Sequence, residues 1–190
     1  MLLAPFLGLP IPLTAIQILW VNLVTDGLPG LAMSFEPSEA NVMEREPYAP
    51  DENIFGRGMA KHILWVGLLM GVVSLLAGLF YWNADNDAWQ TMIFTVLTLS
   101  QMGQAMSVRS DRESLFTLGL RTNTPLLGAV LVTFALQMMV VYWGPLQRVF
   151  GTVPLTGTEL VIALGLASIV FWVVELEKLL RRRRTAEASG

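Results

Sequence analysis

Long stretches without charge constrain the fold of this chain more than any other feature of its sequence. Residues 2–25, 63–84, 88–108 and 122–147 contain no Asp, Glu, Lys or Arg. Each stretch is at least as long as the roughly 20 residues that a helix needs to cross a bilayer. Hydrophobic residues make up 54% of the chain and charged residues only 14%, which is unusual for a water-soluble domain. The sequence therefore predicts an all-α membrane protein.

Five apolar segments predict a bundle of five transmembrane helices, at about 13–33, 59–82, 88–108, 124–143 and 158–180. Residues 1–12 contain three prolines and are expected to form an extracytoplasmic lead-in or turn. Residues 181–190 are expected to form a basic cytoplasmic tail. Gly67 and Gly71 form a GxxxG pattern, with Gly78 further on, which permits close helix packing and favours a contact within the chain over dimerisation.

The distribution of Lys and Arg predicts the orientation of the bundle. Eleven of the twelve basic residues lie in the loop after the first helix through the start of the second, in the loop after the third helix, or in the C-terminal region. The twelfth, Arg148, belongs to the opposite side. Because basic loops stay in the cytoplasm, we expect the N-terminus outside and the C-terminus inside.

Composition also excludes several function classes. The chain has no cysteine, which excludes disulfides, zinc-thiolate sites, iron–sulfur clusters and thiol catalysis. The net charge of −3 gives no support for nucleic-acid binding. Because the sequence also has no phosphate-binding glycine loop and no nucleophile–histidine pair, catalysis by this chain alone is not expected.

One acidic residue, Asp26, lies well within an apolar segment. Asn22 lies four residues before it and Thr25 one residue before it. On a helix this spacing would place three oxygen-bearing side chains on one face. Such oxygens suit calcium or a similar cation, and Gly27 and Pro29 would weaken the helix beside them. Two other interpretations remain open: Asp26 reaches the membrane interface, or it is protonated and binds a neighbouring helix.

A second polar stripe runs along the third segment. Its members, spaced by three and four residues, are Thr91, Thr95, Thr98, Gln101 and Gln104. Such a stripe more often forms hydrogen bonds between helices than a ligand shell. Gln101 is the member best placed to reach a site within the bundle.

The run at 12–32, PLTAIQILWVNLVTDGLPGLA, resembles the sixth transmembrane helix of P-type cation-transporting ATPases of the calcium-pump group. Their signature there is Q-x-L-W-x-N-L-x-T-D-G-L-P. The segments 35–37 and 43–47 resemble the loop that follows, and 95–102 resembles the eighth helix. The remaining segments match helices seven to ten in number and order.

This resemblance implies that Asn22, Thr25 and Asp26 are cation ligands. Gln101 stands where two-site calcium pumps carry a glutamate, which implies one full-strength site and not two. The expected partners are the lipid bilayer and the rest of the pump, namely helices one to five and the cytoplasmic domains. ATP and magnesium would act only through those domains. We expect the plasma membrane of a prokaryote; the alternative is a stand-alone accessory membrane protein derived from a truncated pump.

Overall fold

The computed structural model describes residues 4–8, 10–37, 59–109, 115, 119 and 122–188 of the chain. Apart from a short 3-10 turn at Ala4–Leu7, the regular elements in these ranges are six helices. They are α1 Ala15–Met33, α2 Met59–Asn83, α3 Trp89–Ser107, α4 Thr124–Tyr142, α5 Gly144–Phe150 and α6 Gly157–Ala188. The prediction of an all-α membrane bundle is therefore confirmed. Most of the loop between α1 and α2 lies outside the described residues.

Side-chain caps fix where three of the helices begin. The hydroxyl of Thr14 accepts from the backbone of Gln17, whose side chain accepts from the Thr14 backbone in return. The same reciprocal arrangement joins Thr156 and Glu159 before α6, as their spacing predicts. Asn123 caps α4 by accepting from the amide of Leu126 at 2.9 Å.

The predicted number of five spans needs correction. Four helices in the described ranges are long and apolar enough to cross a membrane, namely Ala15–Met33, Met59–Asn83, Thr124–Tyr142 and Gly157–Leu180. The fifth candidate, α3, has 19 residues and is long enough, but its hydroxyl and amide side chains make it too polar. The physical reason is its position, because a helix surrounded by other helices needs no continuous apolar surface toward lipid.

Helix α3 lies at the centre of the bundle. It packs against α2, α4 and α6 and also contacts α1. Most of its side chains are buried, and Met92, Ile93, Phe94 and Val96 are fully enclosed. These residues form the cores of two apolar clusters that join α3 to its neighbours. Polar residues that α3 carries are therefore held against protein.

Close packing between α2 and α3 occurs at one glycine. A Cβ atom added to Gly78 would lie 2.2 Å from Cγ1 of Ile93, so the Ile93 side chain fills the space that a larger residue would need. At Gly67 and Gly71 an added Cβ would meet no heavy atom within 4 Å. The close contact favoured for the GxxxG pair is therefore absent within the described residues, and Gly78 serves that role.

Candidate functional site

Helix α1 is interrupted by a wide turn in its middle. Ala15–Trp20 and Gly27–Met33 are α-helical, whereas Val21–Asp26 between them is π-helical. Pro29, one turn later, has no N–H to donate, and its ring crowds the backbone carbonyl four residues earlier. A regular α-helical turn is therefore disfavoured here, as the sequence predicts. Single π-helical turns within α-helices are frequent at functional sites.

The wide turn carries three of the four predicted site residues but separates their side chains. Asn22 and Asp26 are exposed on the surface of the described bundle. Thr25 is 1% exposed, and its hydroxyl donates to the carbonyl of Val21 at 2.5 Å. The carboxylate and the carboxamide thus share the outer side of α1, whereas the hydroxyl faces inward.

An exposed carboxylate within a membrane-spanning helix is costly. Transfer of a charged aspartate to the centre of a membrane helix costs about 2.5–3.5 kcal/mol on insertion scales. In the described ranges, no group of three or more His, Asp or Glu side chains can hold a metal ion. Asn22 and Asp26 therefore present a carboxamide and a carboxylate on an exposed surface of the described bundle.

The fourth predicted residue, Gln101, is half-buried on α3, the helix that the π-helical turn packs against. Its Oε1 is buried and accepts no hydrogen bond from any described residue, and the same is true of Oε1 of Gln104. The hydroxyls of Thr95 and Thr98 are likewise unpartnered within the described residues. Thr91, at the far end of the stripe, accepts from the amide of Val153 at 2.9 Å. The stripe thus leaves several buried oxygens available near the middle of the bundle.

A first anchor holds α1 on the N-terminal side of the wide turn. The side-chain amide of Gln17 donates to the backbone carbonyl of Phe150 at 3.0 Å. The indole N–H of Trp20 donates to Oε1 of Gln137 at 3.0 Å. The rings of Trp20 and Phe150 also meet edge to face, with centroids 5.0 Å apart. Sequence reasoning missed this anchor because its partners are 117 and 133 residues apart.

A second anchor holds the C-terminal end of α1. The guanidinium of Arg109 donates to both carboxylate oxygens of Glu36, with contacts between 2.7 and 3.2 Å. Asn123 donates to the same carboxylate at 2.7 Å. Partial burial opposes ionisation of Glu36, but the hydrogen bonds from Arg109 and Asn123 and the positive charge of Arg109 together lower its pKa below the ordinary value.

Comparison with known proteins adds independent findings. The family model described as "Cation transporting ATPase, C-terminus" matches residues 10–180. The protein called "Calcium-transporting ATPase" of Bacillus subtilis is 38% identical over 186 residues, which are 96% of this chain and 21% of that protein. "Calcium-transporting ATPase type 2C member 1" of Homo sapiens is 34% identical over 188 residues, which are 96% of this chain and 20% of that protein. The chain therefore spans about a fifth of the length of the curated relatives that it matches.

Proposed function

The chain belongs to the family of cation-transporting ATPase C-terminal regions, and from this premise we propose that it forms the C-terminal membrane part of an ATP-driven calcium pump. In this proposal the chain supplies ligands to the transported cation and holds the helix that carries them. ATP and magnesium act in the other parts of the pump. The names of the relatives, which are calcium-transporting ATPases, support calcium as the cation.

The observation that carries the proposal is the wide turn in α1. It presents the carboxylate of Asp26 and the carboxamide of Asn22 on an exposed side of a helix that is apolar enough to span a membrane. Oxygen ligands are what calcium prefers, and it takes six to eight of them. Two side chains cannot fill that shell, so the remaining oxygens would come from backbone carbonyls, water and the helices of the rest of the pump.

Thr25 and Gln101 have secondary places in the proposed site. Although the Thr25 hydroxyl faces inward and donates to Val21, it keeps two lone pairs and can still coordinate a cation. The unpartnered Oε1 of Gln101 is a neutral ligand on the neighbouring helix. A neutral amide attracts a divalent cation less than a carboxylate does, so we propose one full-strength site.

The proposal includes a location and an orientation. The helices and the family make the chain part of a multi-pass integral membrane protein. We propose the plasma membrane of a prokaryote, which the similarity to a Bacillus subtilis protein supports. We propose that α3, enclosed by the other helices, also crosses the membrane within the bundle. The eleven basic residues then lie on one side, which supports a cytoplasmic C-terminus.

Calcium-dependent phosphorylation of the complete pump tests the proposal. Asp26→Asn removes one ligand charge and keeps the side-chain shape, so the calcium concentration for half-maximal phosphorylation should rise at least about 10-fold. Asp87→Asn is the matched control, because Asp87 is exposed in the turn between α2 and α3, and it should behave as the native pump does. Gln101→Ala should have a much smaller effect than Asp26→Asn.

Two results would contradict the proposal. If Asp26→Asn left the half-saturating calcium concentration unchanged, the carboxylate would serve only to hold helices together, as the accessory-protein alternative expects. If Gln101→Ala raised the half-saturating calcium concentration as much as Asp26→Asn, the site that contains Gln101 would bind calcium at full strength. The pump would then carry two calcium ions.

A further inference from the structure

The contacts at the C-terminal end of α1 form a clip, which we define as Glu36, Arg109 and Asn123. We propose that this clip positions the wide turn of α1, so that Arg109, acting through Glu36, sets the affinity of the cation site. The inference rests on the proposed function, since it concerns the site that Asp26 and Asn22 form there. None of the three clip residues is itself a ligand.

The clip gathers three separate elements at one carboxylate. Arg109 follows the end of α3, Asn123 caps the start of α4, and Glu36 lies just beyond the end of α1. Asn123 also donates to the carbonyl of Ala32 in the last turn of α1, at 3.4 Å. The end of α1 is therefore tied to α3 and α4 by side chains whose partners lie 73 to 91 residues away.

The hydrogen bonds of Arg109 make the clip rigid. Besides its fork on Glu36, the guanidinium donates to the carbonyl of Gly119 at 2.9 Å and to the hydroxyl of Thr122 at 2.5 Å. Its side chain is 1% exposed and that of Glu36 is 19% exposed, so the pair is only weakly screened by water and salt. A planar guanidinium with five donors can hold all of these contacts, whereas an ammonium can hold only some of them.

Buried apolar side chains pack beside the clip. Ala32, Met106, Leu115 and Leu126 form a buried cluster beside it, which contains one residue from the end of α1 and one from the start of α4. The α-helical stretch Gly27–Met33 then connects the clip to the wide turn. Seven residues at 1.5 Å per residue span only about 10 Å. A displacement of the clip should therefore shift Asp26 by nearly the same distance.

The wide turn lies between two fixed points. On its other side, Gln17 and Trp20 hold α1 to Phe150 and Gln137. Between the anchors, Thr25 bonds to a carbonyl of its own helix. The winding of the turn, and with it the separation of the Asn22 and Asp26 oxygens, is therefore set by where the two anchors hold the ends of α1.

A distance measurement on the complete pump, with any cysteines outside this region replaced, tests the positional part without any transport assay. The chain has no cysteine, so spin labels can be placed at Leu31→Cys on α1 and Leu64→Cys on α2, both exposed positions. In lipid nanodiscs, Arg109→Gln should broaden and shift the distribution of distances between the labels, and Arg109→Lys should restore it in part. Arg148→Gln is the matched control, since Arg148 is exposed, and it should leave the distribution unchanged.

A double variant separates positioning from folding. Arg109→Gln alone leaves the Glu36 carboxylate without its cation and can impair folding, whereas Glu36→Gln with Arg109→Gln removes both charges and should recover most of the stability. The double variant should nevertheless keep the altered distance distribution, because the two-pronged link is gone. A native distribution in the double variant would overturn the proposal.

Calcium affinity of the complete pump tests the functional part. The double variant should raise the half-saturating calcium concentration at least about 5-fold, which is the low end of common coupling between sites, while the maximal phosphoenzyme level stays unchanged. An altered distance with unchanged calcium affinity would overturn the inference and leave the proposed function intact. If the native pump showed no calcium dependence, the proposed function would fail, whereas the label distances would still report on the clip.

Discussion

Replacement of Gly78 by alanine tests the packing between α2 and α3 at its closest point. The added methyl would lie 2.2 Å from Cγ1 and 2.3 Å from Cδ1 of Ile93, and 3.5 Å from the carbonyl of Trp89. Carbon atoms at optimal contact are about 3.5–4.0 Å apart, so the helices or the isoleucine must move by more than 1 Å. Ile93 is fully buried among apolar neighbours, so a shift of its side chain disturbs their packing.

The magnitude follows from two opposing effects. Overpacking of a closed core costs about 1–3 kcal/mol, and the depth of this overlap places Gly78→Ala near the upper end of that range. Alanine lowers the conformational cost of a helical position by about 1 kcal/mol relative to glycine. The net expectation is a loss of about 2 kcal/mol in the free energy of unfolding.

Reversible unfolding of the purified chain by sodium dodecyl sulfate in mixed micelles measures this loss. Gly71→Ala is the control, because nothing lies within 4 Å of its added methyl, and it should raise the free energy of unfolding by up to about 1 kcal/mol through the helix preference of alanine alone. The double variant Gly78→Ala/Ile93→Ala should lose less stability than the sum of the losses in the two single variants, because removal of the isoleucine side chain relieves the overlap. Equal stability of the Gly78→Ala and Gly71→Ala variants would refute the reasoning.

Two further predictions concern orientation and chemistry. A single cysteine introduced at Asp85 should react with an impermeant reagent from outside the cell, whereas one at Thr185 should react only after permeabilisation, as the positions of the basic residues predict; the reverse pattern would contradict the orientation. The purified 190-residue chain should form no acid-stable phosphoenzyme from ATP, because its sequence carries neither a phosphate-binding loop nor an aspartyl-phosphate motif; measurable transfer of phosphate would contradict the assignment of ATP chemistry to other parts of the pump.

The sequence predicts the positions of the long helices because bilayer thickness fixes their length. The segment expected at 59–82 is the helix Met59–Asn83, and the one expected at 124–143 is Thr124–Tyr142. The sequence does not show whether α3 faces lipid, because a charge-free stretch indicates only that a helix can lie within a bilayer. Whether it contacts lipid depends on its neighbours, and those come from packing across the whole chain.

The sequence suggests the residues of the proposed site but not their geometry. Asp26 stands out in sequence because a carboxylate in an apolar segment is costly. The inward position of Thr25 follows from a widened turn whose presence Gly27 and Pro29 indicate but whose extent they do not determine. The anchor at Gln17 and the clip at Arg109 join residues far apart in the chain, and helical periodicity holds no information about such partners.

A structure of the complete pump with calcium bound, at a resolution that separates the ion from its ligands, tests the central claim most directly. The quantity to measure is the distance from the calcium ion to the nearest carboxylate oxygen of Asp26. Direct coordination predicts about 2.3–2.6 Å, with an oxygen of Asn22 in the same shell. A bound calcium ion with no oxygen of Asp26 within about 4 Å, beyond any direct coordination, would contradict the assignment of α1 as the cation-binding helix.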